Sequence, residues 1–151
     1  MFEELIGNVN LTYKELLITF IEDFLFQELG TQLRNIIDED SCVAFTISGI
    51  TTKFHENKRE YTFHIASKEK YILLKTISFM NTKSNYSISL EIRNCKDIKS
   101  RKLSFQNINN GEHHFGNQTL EIVFNEGPKL TLIKYDCHNN FDQYLKSILK
   151  V

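Results

Sequence analysis

Residues 109–118, NNGEHHFGNQ, contain the residue types most suited to chemistry, with Glu112, His113 and His114 in a row. Such a group could hold a metal ion or move a proton. Adjacent side chains point to opposite sides of a strand and diverge in a tight turn, so the two histidines do not converge on one ion. The remaining histidines show no metal-binding spacing: His55, His64 and His138. The flanking Asn and Gly residues predict an exposed loop, and we expect no metal site and no cofactor.

A nucleophile and a base are adjacent at Cys137 and His138, preceded by Asp136. Neighbours in sequence cannot normally orient for proton transfer, and catalytic Cys–His pairs come from separate segments. We therefore predict that Cys137 is a small core residue that ends a strand. Three glutamates stand singly on strands, opposite the apolar positions, where solvation explains them: Glu60, Glu91 and Glu121. The sequence has no phosphate-binding loop, nucleophile elbow or dinucleotide fingerprint, and it predicts a protein that is not an enzyme.

The first forty residues are typical of helices. Thr12 and Glu15 have the spacing of a capping box, and apolar residues then recur every three or four positions as far as Leu29. Gly30 stands where a helix commonly ends. We expect one long helix up to Gly30 and a short second helix over 31–37.

From residue 41 the apolar period changes from 3.6 to 2, which is typical of strands. Alternating runs separated by short turns predict six or seven antiparallel strands in meander order. A final helix follows Asn139 or Asn140. The predicted fold class is therefore α+β, with N-terminal helices packed on the sheet and a C-terminal helix. We expect one domain over 1–151, with 1–40 helical, 41–136 forming the sheet and 139–151 the last helix.

The run from Tyr71 to Met80 differs from the other strands, because apolar residues occupy both of its alternating sets. Two hypotheses account for this pattern. The strand is central and covered on both faces, with the C-terminal helix as the second cover, or its second face meets a partner, which would make a homo-oligomer.

Charge is unevenly distributed along the chain. Residues 1–42 carry nine acidic and two basic side chains, whereas residues 53–102 carry twelve basic and five acidic ones. An acidic surface of this kind attracts a basic protein partner, since complementary charge speeds association and contributes to binding specificity. The predicted partner-binding residues are Glu15, Glu22, Asp23, Asp38, Glu39 and Asp40.

The uneven charge is also compatible with an intramolecular role or with a nucleic-acid partner. The acidic helices could complement the basic sheet inside one fold, which would stabilise it modestly. A basic loop over Lys96–Lys102 could bind nucleic acid, but Asp97 interrupts it and the isoelectric point is about 6.5. We therefore do not expect nucleic acid to be the partner.

The sequence also predicts a compartment. Cys42, Cys95 and Cys137 are odd in number and widely spaced, which argues against a disulfide framework. The first ten residues, MFEELIGNVN, lack the basic start of a signal peptide, and no apolar run approaches the length of a membrane span. We expect a cytoplasmic protein that does not enter a membrane.

These observations favour a non-enzymatic module that binds one protein specifically. An immunity or antitoxin protein, which neutralises a toxin by surface complementarity, is one such function. The alternative is a carrier of a small ligand or lipid, with an apolar pocket between helix and sheet lined by some of the 12 phenylalanines. An enzyme without a motif would need a titratable cluster in a cleft.

Overall fold

The computed structural model describes residues 2–8, 10–53, 58–79, 86–106, 117–137 and 140–151. Within these ranges the chain forms four α-helices and seven β-strands. The helices are α1 Phe2–Gly7, α2 Tyr13–Glu22, α3 Gln27–Ile36 and α4 Phe141–Ile148. The strands are β1 Ala44–Lys53, β2 Lys58–Ala66, β3 Lys70–Phe79, β4 Tyr86–Asn94, β5 Ile98–Gln106, β6 Asn117–Phe124 and β7 Leu130–Ile133. Single 3-10 turns follow β4 and β7, at Cys95–Asp97 and Lys134–Asp136.

The strands form two antiparallel sheets, each in simple meander order. One sheet has the order β1-β2-β3-β4 and the other β5-β6-β7. The predicted α+β class, with seven antiparallel strands between N- and C-terminal helices, is confirmed. The chain leaves the first sheet at the turn Cys95–Asp97, where the Cys95 amide donates to the Glu69 carbonyl at 2.8 Å. The sequence did not indicate this division into two sheets.

One face of the four-stranded sheet packs against α2 and α3. The apolar positions of the two helices and of the strands are fully buried against one another. These residues include Leu16, Leu17, Phe20, Leu33, Phe63, Ile65, Ile72 and Leu74. These side chains form one buried apolar cluster between the helices and the sheet.

The second face of the same sheet is covered at one end by the three-stranded sheet and α4. Tyr71 and Leu73 of β3 are buried there with residues of both covering elements, Leu120, Ile122, Leu132, Tyr144 and Ile148. The hypothesis that β3 is covered on both faces is thus confirmed for its first half. Lys75 on the same face is exposed, so a homo-oligomer through this face would have only the second half of the strand to use.

The long first helix was predicted wrongly, because the chain breaks between α2 and α3. The Asp23 carboxylate accepts the Leu25 amide hydrogen at 2.8 Å, and the Phe26 amide donates to the Asp23 carbonyl at 3.2 Å. These local hydrogen bonds replace the helical ones, which is how Asp commonly ends helices. Phe24 and Leu25, expected on the buried stripe, are instead 94% and 70% exposed.

Gly30 lies inside α3 and does not cap a helix. A Cβ atom at this position would lie 2.8 Å from Ile21 Cγ1 and 2.9 Å from Phe20 Cβ. Glycine is needed here because α3 approaches α2 more closely than any side chain allows.

The start of α2 is close to the prediction. The Thr12 hydroxyl accepts the Glu15 amide hydrogen at 3.2 Å, which is half of the expected capping box. The Glu15 carboxylate accepts instead from the Asn8 side-chain amide at 3.2 Å.

The basic segment Lys96–Lys102 is not a loop as expected, since most of it belongs to β5. Arg101 donates to the carbonyl oxygens of Ile148 and Val151 at the end of α4. This side chain therefore fastens the C-terminal helix to the second sheet.

Candidate functional site

Residues 109–116 of the histidine-rich stretch, which include Glu112, His113 and His114, lie outside the described residues, whereas Asn117 and Gln118 begin β6. His55 and His138 also lie outside the described residues, so the Cys137–His138 pair cannot be described. In the described ranges no three His, Cys, Asp or Glu side chains form a group able to hold a metal ion. Burial, together with the smaller effect of the Asp136 charge, raises the pKa of the Cys137 thiol to about 12, which disfavours the reactive thiolate.

The six predicted partner-binding carboxylates fall into two groups at opposite ends of α2. Tyr13 is in the first turn of α2, and its hydroxyl donates to the carbonyl of Ile37 at 2.6 Å. Asp38 and Glu39, which follow Ile37 directly, therefore lie near the start of α2. Glu22 and Asp23 lie at the last turn, about 14 Å away along the helix axis. The first group, near the start of α2, comprises Glu15, Asp38, Glu39 and Asp40.

Part of the first group is engaged in local structure. Glu39 pairs with Arg34 at 3.2 Å, and hydrogen bonds from Ser41 lower the pKa of Asp38. The groove beside Tyr13 has a volume of about 280 Å³, with apolar residues in its floor and Glu39 at its edge. Glu15 and Asp40 are exposed.

The second group stands beside the exposed apolar pair of the α2–α3 turn. We call the four residues Glu22–Leu25 the hairpin tip. The tip is held in place, because Phe26 immediately after it is buried against Phe20 and Tyr86, with ring centroids 5.8 and 5.3 Å apart. The exposed Glu22 carboxylate and the two large apolar side chains therefore project from a fixed turn, beside the half-buried Asp23, whose carboxylate accepts the Leu25 amide hydrogen.

The four ion pairs that can be described do not join the acidic helices to the basic strands. Arg34–Glu39 lies within the helical part, and the other three lie in the sheets and the last helix. Glu91 and Glu121, expected to be solvated, pair with Arg93 at 2.9 Å and Lys129 at 3.2 Å. This distribution gives no support to the hypothesis that the two charged regions neutralise each other inside the fold.

A second constellation was not found from the sequence: a buried chain of hydrogen bonds that runs through the second face of the four-stranded sheet. Ser48 Oγ lies 2.5 Å from His64 Nε2, and His64 Nδ1 lies 2.8 Å from the Tyr71 hydroxyl. The Tyr71 hydroxyl is in turn hydrogen-bonded to that of Tyr144 on α4. All four residues are buried.

Ser48 and His64 also line a cleft of about 370 Å³ at the edge of the covered region, which we call the sheet cleft. One wall is the second face of the four-stranded sheet. The opposite wall is the segment from Pro128 to Asp136, which includes β7. The charged lining residues of the cleft are Lys75, Glu91, Arg93, Lys129 and Asp136.

Arg93 fixes the edge of this cleft. Its guanidinium donates to the Pro128 carbonyl at 2.9 Å and lies over the Phe124 ring, 4.7 Å from the centroid. Gly127 packs against the same guanidinium with a φ of 87°, a conformation that glycine adopts readily. The turn before β7 is thus fastened to β4.

The Ser48–His64 pair has the distance of a nucleophile and its base, but its electrostatics are unsuited to nucleophilic catalysis. Burial, together with the smaller effect of the Lys75 charge, lowers the pKa of His64 to about 3. The third member, Tyr71, has its pKa raised well above 10 by burial and by Tyr144. A neutral phenol cannot stabilise an imidazolium as a carboxylate does. The arrangement therefore disfavours the abstraction of a proton from Ser48 by His64.

One sequence signal bears on this constellation. Tyr71 and Leu73 make the second face of β3 apolar, so a cover over that face was expected. His64 lies on the same second face of the sheet, because it alternates along β2 with Tyr61, Phe63 and Ile65, which point to the first face. Its burial could have been inferred from this alternation. Its partner Ser48 could not, because the register between β1 and β2 is not encoded in a local pattern.

No described helix is both long enough and apolar enough to cross a membrane. No protein-family model matches the chain, and neither the curated proteins nor the solved structures contain a significant match to it.

Proposed function

We propose that the protein is a non-enzymatic module that binds one protein partner through the hairpin tip. The observation that carries the proposal is the exposure of Phe24 and Leu25, 94% and 70%, directly after Glu22 and Asp23. Apolar side chains that are exposed side by side on a fixed turn are suited to contact with another protein, since exposed apolar patches mark interaction sites.

The hairpin tip has the composition of an interface anchor. Burying an aromatic or aliphatic side chain on a partner contributes about 1.5–3 kcal/mol, and a few such residues usually supply most of the affinity of an interface. The fixed turn reduces the entropy lost on binding. Glu22 and Asp23 add negative charge at the edge, so the complementary surface is an apolar pocket with basic residues around it.

The buried apolar cluster between the helices and the four-stranded sheet also supports this function over the carrier. A lipid or small-ligand carrier with its pocket between helix and sheet needs an apolar cavity there. In the described residues that space is occupied by buried side chains such as Phe20, Leu33 and Phe63.

Among protein-binding modules, we propose an immunity or antitoxin type, acting in the cytoplasm. Such a protein neutralises a toxin by covering its surface and needs no chemistry of its own. A rigid acidic and apolar projection is suited to blocking a toxin that acts on nucleic acid, because such a toxin needs Lys and Arg on its binding surface to contact phosphates.

The test is a double variant, Phe24→Ser with Leu25→Ser. A partner that co-purifies with the wild-type protein at low salt is identified, purified and titrated against both proteins. The variant should bind at least tenfold more weakly, which corresponds to about 1.4 kcal/mol, and its melting temperature should not fall. The matched control is Tyr135→Ser, which removes a side chain that is 82% exposed elsewhere. Equal affinity of the double variant and the wild type would contradict the proposal.

The immunity type has its own test. Expression of the identified partner alone should arrest growth, and co-expression of the wild-type protein, but not of the double variant, should restore it. A partner that binds through the tip without affecting growth would leave a binding module that is not an antitoxin.

A further inference from the structure

We propose that the sheet cleft is a binding site for a small organic acid, with the carboxylate held by Ser48, Thr62 and Lys75. This site is independent of the hairpin tip, because it lies on the opposite face of the four-stranded sheet from α2 and α3.

The buried hydrogen-bond chain has a direction, which is set at its inner end. In the described part of the chain, Tyr71 is the sole hydrogen-bond partner of the Tyr144 hydroxyl. If Tyr144 accepted from Tyr71, its own hydrogen would be buried without an acceptor, which costs about 1–3 kcal/mol. Tyr144 therefore donates to Tyr71, and the Tyr71 hydroxyl donates to His64 Nδ1.

This direction determines the state of the two residues at the cleft. His64 is neutral, so with Nδ1 as acceptor its single hydrogen is on Nε2 and is donated to Ser48 Oγ. The Ser48 hydroxyl hydrogen is then left without an acceptor in the described residues. Since Ser48 lines the cleft, this hydrogen is available to an occupant that accepts it.

Two further donors lie in the same row of the sheet. Ser48 is paired with Thr62 in the register of β1 and β2, and Thr62 with Lys75 in that of β2 and β3. Paired residues of neighbouring strands project from the same face about 5 Å apart. All three line the cleft, so two hydroxyls and one ammonium form a row that suits an oxyanion.

Among the charged residues that line the cleft, Lys75 is the group that would attract an anion. Glu91 is neutralised by Arg93 at 2.9 Å, and Lys129 pairs with Glu121 at 3.2 Å. Asp136 lies on the opposite wall, in the 3-10 turn after β7. An anion is therefore stabilised on the sheet wall.

The second wall defines the rest of the ligand. Pro128, Leu130 and Ile133 line it opposite the polar row. A molecule that bridges the two walls has an oxyanion at one end and an apolar body at the other. The cleft volume of about 370 Å³ is in the range of small-molecule sites.

The experiment uses 4-fluorobenzoate as the probe, observed by fluorine NMR with the full chain. We expect saturable binding with a Kd of about 1 mM or below. Lys75→Gln should weaken it at least tenfold. The matched control is Lys68→Gln, which removes an exposed lysine from the turn between β2 and β3, outside the cleft. Ser48→Ala should also weaken binding, and its melting temperature shows whether the fold is retained; Lys75 is exposed, so its variant tests the proposal without that concern.

Three results would overturn the proposal. The first is the absence of saturable 4-fluorobenzoate binding to the wild-type protein. The second is equal weakening by Lys75→Gln and Lys68→Gln, which would indicate a general charge effect. The third is binding of 4-fluorobenzylamine or inorganic phosphate as tight as that of 4-fluorobenzoate. The amine would assign the site to Asp136 and Glu91, and phosphate would show that the apolar wall contributes nothing.

Discussion

The burial of His64 makes a quantitative prediction about stability and pH. The side chain is 4% exposed, and burial, assisted by the charge of Lys75, lowers its pKa from 6.5 to about 3. Above pH 6.5 the imidazole is neutral in both the folded and the unfolded chain and has no effect. Between pH 6.5 and 3 the unfolded chain binds a proton that the folded chain does not. The folded state therefore loses stability as the pH falls through this window.

The magnitude follows from the two pKa values. A pH of 5 lies about 1.5 units below the pKa of the histidine in the unfolded chain, so this histidine is protonated, while His64 in the folded chain is still neutral. The free energy of unfolding is therefore lower by about 2 kcal/mol at pH 5 than at pH 8. This is a large part of the total stability of a small domain, which is commonly about 5–15 kcal/mol.

The assay compares the wild-type protein with His64→Gln by denaturant unfolding at pH 8 and pH 5. Glutamine keeps one donor and one acceptor but does not titrate. All other titrating groups are common to both proteins. The decrease in the free energy of unfolding from pH 8 to pH 5 therefore differs between the two proteins only by the contribution of His64. We expect the wild type to lose about 2 kcal/mol more than the variant. Lys75→Gln should retain most of the wild-type loss, because burial is the larger cause of the shift.

Parallel losses in the wild type and His64→Gln would refute this reasoning. NMR gives an independent check, since the His64 ring signals should not shift between pH 8 and pH 4. A titration midpoint near 6.5 would mean that the imidazole is solvated, and the direction assigned to the Ser48–Tyr144 chain would then be lost with it.

The helices and the thiols give three more predictions. Gly30→Ala should destabilise the fold by about 1–3 kcal/mol through overpacking, although the same change in an open helix stabilises by about 1 kcal/mol. The control is Gly7→Ala, whose Cβ meets no atom within 4 Å. An equal effect of the two variants in denaturant unfolding would contradict the close approach of α2 and α3. The triple variant Glu15→Gln, Glu22→Gln and Asp23→Asn should associate with a basic partner at least tenfold more slowly at low salt. Its melting temperature should be nearly unchanged, because Glu15 and Glu22 are exposed and asparagine keeps the oxygen that accepts the Leu25 amide hydrogen. Association rates equal to those of the wild type from low to high salt would exclude the acidic surface. Burial raises the pKa of Cys42 to about 11 and that of Cys137 to about 12, so iodoacetamide should label them in the native protein at least about tenfold more slowly than a free cysteine; mass spectrometry should find all three thiols labelled after unfolding without reductant, and fewer would reveal a disulfide.

The parts of the fold that the sequence predicted are those set by local periodicity. The period of two gave the strands, and the apolar face of α4, with Phe141, Tyr144, Leu145 and Ile148, is buried as expected. Of the two hypotheses that the double apolar pattern of β3 left open, cover on both faces holds for the first half of the strand. Each of these signals is contained in a run of ten residues or fewer.

The parts that the sequence did not predict depend on side chains that compete for backbone hydrogen bonds, or on contacts between residues far apart in the sequence. The apolar stripe of α2 continues through Phe24 and Leu25, but the Asp23 side chain competes for the backbone hydrogen bonds and ends the helix. Gly30 resembles a helix end, yet its role is to let two helices approach. The Ser48–His64 contact joins residues on different strands and depends on their register, which the pattern of either strand alone leaves open.

The sheet cleft lies beside β7, the edge strand of the second sheet, which is much shorter than the strands of the four-stranded sheet. β1 to β4 are nine or ten residues long, whereas β7, which borders the cleft, has four. A strand of four residues spans about 13 Å and one of ten about 33 Å, so the cover ends part of the way along the second face. The side chains change at that boundary from Tyr71 and Leu73, which are buried, to Lys75, which is exposed. The row of donors that we assign to an organic acid is the first row beyond the cover, where polar groups are near apolar walls and still within reach of a ligand.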